Sequence, residues 1–182
     1  TTALMHTACS GVAAAVRAAF AAGWCELEDT NSVGDTAFLL ACYKGHVECM
    51  QLLAEAGCNT AAVVNNGATA LMQTAFSGVA AAVRTALAAG WCELEATNSD
   101  GVTAFQAACN KGHVECMQLL ADAGCNTAAK NNDGTTALIQ TAFSGVAAAV
   151  RTALAAGWCE LEAADRNGNT AFLMACNLGH AE

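Results

Sequence analysis

The chain predicts an all-α fold, a solenoid of short helix-turn-helix units joined by turn or β-hairpin-like loops, with about five and a half units in its 182 residues. Three observations carry this. A Thr-Ala-Leu or Thr-Ala-Phe start recurs at Thr2, Thr36, Thr69, Thr103, Thr136 and Thr170, at steps of 34, 33, 34, 33 and 34. Glycines break each unit at matching places, and the apolar residues between them keep helical spacing. The helices so bounded are shorter than the ~12–15 residues that an isolated helix needs in water. They can hide their apolar sides only against copies of themselves.

The unit starting at Thr36 serves as the pattern. Thr36 is suited to cap a helix, its hydroxyl accepting a first-turn backbone N–H, and AFLLACYK then runs into Gly45, a helix stop. A second helix follows Gly45-His46 and ends at Gly57. Its apolar side carries Val47, Cys49, Met50, Leu52 and Leu53, and Glu48, Gln51 and Glu55 form a polar stripe. The remaining CNTAAVVNNGA is rich in Asn and reaches Gly67, so it reads as a turn that returns the chain to the next Thr. The deeper period is 67 residues, because copies two units apart match better than neighbours do. Odd units replace Cys58-Asn59-Thr60-Ala61 by Trp24-Cys25-Glu26-Leu27-Glu28 and its copies, after Gly23, Gly90 and Gly157.

TAFLLACYKGHVECMQLLAEAGCNTAA, residues 36–62, resembles the ankyrin repeat. The likeness rests on the Thr start, Gly45-His46, the Glu48-x-x-Gln51-Leu52-Leu53 helix and the Ala56-Gly57 end, and it covers essentially the whole chain. Two departures stand out. The family's Pro after the Thr is replaced by Ala37, Ala70, Ala104, Ala137 and Ala171, which gives up a preset φ but keeps helix propensity. The family's His two residues further on becomes Met5, Leu39, Met72, Gln106, Ile139 or Leu173, an exchange expected to remove a hydrogen-bonding side chain and add apolar contact.

Composition narrows the function. Apolar types make up 55% of the chain, enough for one long shared core, and the units are expected to form a single array over residues 1–182 with the last unit incomplete. Seven basic against sixteen acidic residues give −9, which argues against nucleic acid and against an anionic membrane surface. Arg17, Arg84 and Arg151 interrupt the Ala-rich helices, so direct membrane insertion is not expected. A start without Met and an end inside a unit lead us to expect a piece of a longer chain. Eleven cysteines with no CxxC pair read as small core residues of a reducing compartment, and hence as an intracellular protein.

Several constellations carry possible chemistry. Cys42, His46 and Cys49 recur as Cys109, His113 and Cys116, with Cys176 and His180 beginning a third set. They have zinc-ligand chemistry, but structural zinc takes four ligands, and the rival reading is core thiols with a backbone-bonded His. The pairs Glu26/Glu28, Glu93/Glu95 and Glu160/Glu162 read as solvated charge or as contacts for a basic partner. Trp24, Trp91 and Trp158 read as covers for an adjoining helix end or as interface anchors. Ala81, Arg84 and Ala88, and likewise Ala148, Arg151 and Ala155, leave the second helix of odd units nearly bare, from helix propensity or for close approach of another chain. No GxGxxG, GxSxG or HExxH is present, so no catalytic residue, metal site, cofactor or small-molecule substrate is assigned and no enzyme is expected.

The ankyrin resemblance implies a protein-binding scaffold that presents its turn tips and first helices on a concave side. The residues expected to meet a partner are Asn31, Ser32 and Asp35; Val64, Asn65 and Asn66; Asn98, Ser99 and Asp100; Lys130, Asn131, Asn132 and Asp133; Arg166 and Asn167; and Trp24, Trp91 and Trp158. The alternative is a structural subunit or spacer of a large assembly or filament, including end-to-end self-association. Its motive is that residues 73–96 and 140–163 are identical letter for letter. Zinc-binding repeat protein is the third reading.

Overall fold

The computed structural model describes residues 1–24, 26–91, 93–158 and 160–180. Cys25, Cys92 and Cys159 from the Trp-Cys-Glu segments, and residues 181–182, lie outside the described residues. The chain divides into two compact units, Thr1–Glu93 and Leu94–Glu182. Among the described residues there are eleven helices and no strand, apart from one isolated antiparallel bridge between Ala164 and Thr170. The all-helical repeat fold predicted by the sequence is the one observed.

In the first compact unit α1 (Ala3–Ser10), α3 (Ala37–Lys44) and α5 (Ala70–Ser77) stack one on the next, each paired with α2 (Ala13–Ala21), α4 (Val47–Glu55) and α6 (Ala80–Ala89) respectively. In the second, α7 (Ala104–Lys111), α9 (Ala137–Ser144) and α11 (Ala171–Leu178) stack in the same way, with α8 (Val114–Asp122) and α10 (Ala147–Ala155) beside the first two. The first helices approach each other closely from layer to layer, and the second helices touch more thinly. Among the described residues no helix exceeds ten residues. Among the described residues none is long and apolar enough to cross a membrane.

The caps explain how helices of eight residues hold together. Thr36 accepts the N–H of Leu39 at 3.2 Å, and Thr2, Thr69, Thr103, Thr136 and Thr170 cap their helices in the same way. Each such cap contributes about 1 kcal/mol, which offsets the missing Pro. The second helices have no side-chain cap. Before α4 the reason is visible: His46 turns back and its Nε2 lies 3.1 Å from the carbonyl of Cys9, at the end of the preceding unit's first helix.

The core is shared between layers, as expected of helices with no interior of their own. Phe38, Leu39, Met50, Leu53 and Leu71 are fully buried in the first compact unit, and Phe105, Met117, Leu120 and Ile139 in the second. One expectation needs correction. Gln106 does not remove a hydrogen-bonding side chain: it is fully buried, its Nε2 donates to the carbonyls of Ala129 at 2.9 Å and Thr135 at 3.2 Å, and its Oε1 accepts the N–H of Thr103. The amide therefore ties α7 to the loop leading to the next unit. Gln106→Ala is expected to lower stability by about 1–3 kcal/mol, because buried backbone groups lose their partner. A urea midpoint equal to the parent's would show that the bonds are not made.

Candidate interaction surface

Four of the five tips, the one at Val64 excepted, are built around their first side chain. Asn31 Oδ1 accepts the N–H groups of Val33 at 3.0 Å and Asp35 at 2.9 Å, while Asn31 Nδ2 donates to Asp35 Oδ2 at 3.0 Å. Asn98 receives the N–H groups of Asp100 and Val102, and Asn131 those of Asp133 and Thr135, in the same geometry. At the last tip Asp165 takes this role, accepting from Asn167, from the Asn169 backbone and from Asn169 Nδ2 at 3.0 Å. These bonds, the Asn169 side chain first, hold the Asp165 carboxyl below the usual carboxylate range. An Asn or Asp that bonds its own backbone two and four residues on is an Asx-type turn, so the first residue of the tip is an organiser.

Successive tips are stitched together. Asn65 N–H donates to the Val33 carbonyl at 3.0 Å and Asn65 Nδ2 to the Ser32 carbonyl at 3.1 Å. Asn132 repeats both bonds on Asp100 and Ser99, at 2.9 Å each. Arg166 N–H donates to the Asp133 carbonyl at 2.8 Å. The expected contact residues therefore fall into two groups. Asn31, Asn98, Asn131, Asn65 and Asn132 spend their side chains within the tips, and Asp35 and Val64 are buried. Ser32, Asn66, Ser99, Asp100, Lys130, Asp133, Arg166 and Asn167 are exposed. Lys130 Nζ makes an ion pair with Glu160 at 3.1 Å.

The indoles divide as well. The Trp91 ring meets Phe38 edge-on at 5.2 Å and 83°, and Trp158 meets Phe105 at 5.2 Å and 86°, each reaching the first helix of the preceding unit. Trp24 is 47% exposed. The carboxylates do more than carry solvated charge: Glu28 Oε1 accepts the Asn59 N–H and Glu95 Oε1 the Asn126 N–H, both at 2.7 Å and both in the next unit. Sequence spacing could not reveal these contacts, because the partners lie about thirty residues away and in register only once the layers stack.

The thiols behave as core. Cys42, Cys49, Cys109 and Cys116 are fully buried, and among the described residues no three His, Cys, Asp or Glu gather around a point where a metal could sit. Burial, then the Glu28 charge, pushes the Cys58 thiol up to about 12; burial, then Glu95, does the same to Cys125, also to about 12. At pH 8 both are expected to react with iodoacetamide about a thousandfold slower than an unfolded thiol of pKa ~8.5, since only the thiolate attacks. The sign for stability follows. With the folded pKa raised, the contribution is complete below the unfolded value of ~8.5 and is lost as pH rises towards 12. Peptide mapping of labelled protein checks this; half-maximal labelling of Cys58 below pH 10 would contradict it.

Residues that the spacing did not single out are Leu40, Tyr43 and Gln73, which line a groove in the first compact unit. A signal existed: Leu40 and Tyr43 are among the positions at which the 67-residue copies differ, as Ala107 and Asn110.

The family model described as ankyrin repeats (3 copies) matches residues 1–63 and 56–131, together 131 of the 182 residues. No curated protein matches the chain.

Proposed function

We propose, from the premise that this chain belongs to the ankyrin-repeat family, that it is a protein-docking module whose units, about five and a half, work as one array. Repeats of this family are generally protein–protein interaction modules and typically lack enzymatic activity, and no specific partner follows from membership alone. The observation that carries the reading to particular residues is the tip construction. The Asn31, Asn98 and Asn131 turns, each bonded to its own backbone and stitched to a neighbour, hold the chain so that Asp100, Lys130, Asp133 and Arg166 project into solvent. Side chains on a fixed scaffold lose little freedom on binding, which is how a small contact patch gains affinity. They are also the positions that vary in an otherwise repetitive chain.

The test uses the whole polypeptide. A variant with Asp100→Ala, Asp133→Ala and Arg166→Ala leaves the organising Asn residues alone and is expected to keep its melting temperature while losing a stoichiometric partner that the parent retains. Retention by both proteins would remove the tips from the reading. A structural subunit is the second reading, favoured by the identity of residues 73–96 and 140–163, since a periodic partner or the chain itself can be met by repeated surfaces. Concentration-dependent polymer growth without a heterologous partner would select it.

A further inference from the structure

Where an odd unit follows an even one, its first helix lies on the first helix of the even unit. α5 rests so on α3 in the first compact unit, and α9 on α7 in the second. The same features recur at both junctions. Ala70 and Thr74 of α5 are fully buried, as are Ala137 and Thr141 of α9. The indole of the odd unit meets the Phe of the even one, Trp91 on Phe38 and Trp158 on Phe105, each at 5.2 Å. The valine before the odd unit's second helix presses on the glycine that ends the even unit's first helix. Val79 lies so close to Gly45, and Val146 to Gly112, that a Cβ on either glycine would collide with it.

Both halves of this junction also stand uncovered. α11 has the even-unit sequence AFLMACNL, and none of its residues is buried. Phe172 is 75% exposed where Phe38 and Phe105 are enclosed, and nothing comes within 4 Å of a Cβ placed on Gly179. α1 has the odd-unit sequence ALMHTACS, which differs from α5 only at His6 and Cys9. There Ala3 is exposed, Thr7 is half-buried and Val12 is 53% exposed. The Trp24 ring meets no aromatic partner among the described residues.

We propose that the α1 layer of a second copy of this chain covers the α11 layer of the first, head to tail, remaking between molecules the junction of α3 with α5. Continuity with an interface that the chain builds twice argues for this occupant. Trp24 of one copy takes the Phe172 ring of the other, Val12 seats on Gly179, and Ala3 and Thr7 are covered as Ala70 and Thr74 are. Exposed apolar surface of the kind formed by Phe172, Leu173 and Leu178 marks interaction sites, and α1 has the shape that the matching face of α3 already accepts. Second helices touch thinly at these junctions, so the first helices and the Trp–Phe pair carry the contact. Because the two surfaces differ, the contact is heterologous and leaves one free face of each kind on any oligomer. The inference uses no tip residue and stands apart from the docking role: the Asp100, Asp133 and Arg166 variant is expected to associate as the parent does.

Sedimentation velocity of the whole 182-residue polypeptide tests this at about 0.15 M salt, where repulsion between copies of net charge −9 is screened beyond ~8 Å. The parent is expected to form concentration-dependent oligomers. Two variants each block one face: Phe172→Asp on α11, and the pair Val12→Asp with Trp24→Ala beside α1. The altered side chains are exposed in the single chain, so its helix circular dichroism is expected to be retained. Each variant alone is expected to associate about tenfold or more weakly than the parent, the loss that follows removal of an interface anchor. Mixed in equal amounts they are expected to recover a one-to-one dimer of parental affinity and to stop there, since each brings one intact face. A parent that stays monomeric at about 1 mM overturns the proposal and leaves the α11 face to a further repeat or to another protein. Variants that associate as the parent does overturn it as well. So does a mixture no tighter than its components, or one that grows past the dimer, because the faces would then adhere without the register of α3 and α5.

Discussion

Phe105→Ala is expected to destabilise the protein by about 3–5 kcal/mol, the range for emptying a buried aromatic site. Phe105 is 1% exposed and lies between layers, its ring meeting Trp158 at 5.2 Å and 86°. Removing it opens a cavity that the eight-residue α7, capped by Thr103 at one end and stopped by Gly112 at the other, has little freedom to close. Trp158 is only half-buried, so Trp158→Ala is expected to cost less, and a double-mutant cycle should return a coupling of about 0.5–1.5 kcal/mol for the edge-on pair. Urea unfolding followed by helix circular dichroism measures both. A loss below about 1 kcal/mol for Phe105→Ala would mean that the ring is not enclosed between layers.

Gly34→Ala is the second large effect, and Gly23→Ala is its control. Both glycines sit in the left-handed region, at φ +86° and +80°. A Cβ there costs about 1–2 kcal/mol whatever surrounds it. At Gly23 nothing lies within 4 Å of the added carbon, so that strain is the whole cost. At Gly34 the carbon would stand 2.5 Å from Asn65 Oδ1 and 2.7 Å from Asn65 N, the N–H that bonds the Val33 carbonyl. Backbone cannot swing aside as a flexible side chain can, so the tip must shift and its stitching must break, adding about 1–3 kcal/mol. Equal losses for the two variants, read from urea midpoints at one temperature, would show that the tips are not held as described. A larger loss at Gly34 places the tips within the cooperative structure, on which the docking role proposed for Asp100, Asp133 and Arg166 depends.

Local features were open to reading because their causes lie within a few residues. Thr36 caps α3 through an N–H three positions on, and Gly45 ends that helix at φ 71°, so spacing along the chain suffices. The Asn31 turn was equally local, an amide bonding its own backbone at Val33 and Asp35, yet Asn31 was expected to meet a partner when its side chain is already engaged. A polar residue in a tip can face outward or fold back, and the choice depends on which backbone groups lack partners. Trp91 was legible in part. Its N–H bonds Ala86 and finishes its own helix, but its ring belongs to Phe38, fifty-three residues earlier. Gln106 and Leu39 occupy the same register, and only in space does the Gln find two carbonyls to bond.

By itself the sequence determined the period, the helix ends and the repeat family, because each follows from short-range chemistry repeated at a fixed step. Tertiary structure decided which side chains remain available. Stacking brings residues about thirty positions apart into register, and that register turns Glu28, Asn65 and Asn132 into braces between units. The same register leaves Tyr43, Leu40 and Val64 around an open groove in one compact unit, whereas in the other Asn110 and Gln140 bond to each other. Hydrogen bonds and apolar contacts between layers depend on distance in space, and no one-dimensional spacing encodes which of two equally polar or equally apolar residues the next layer will cover.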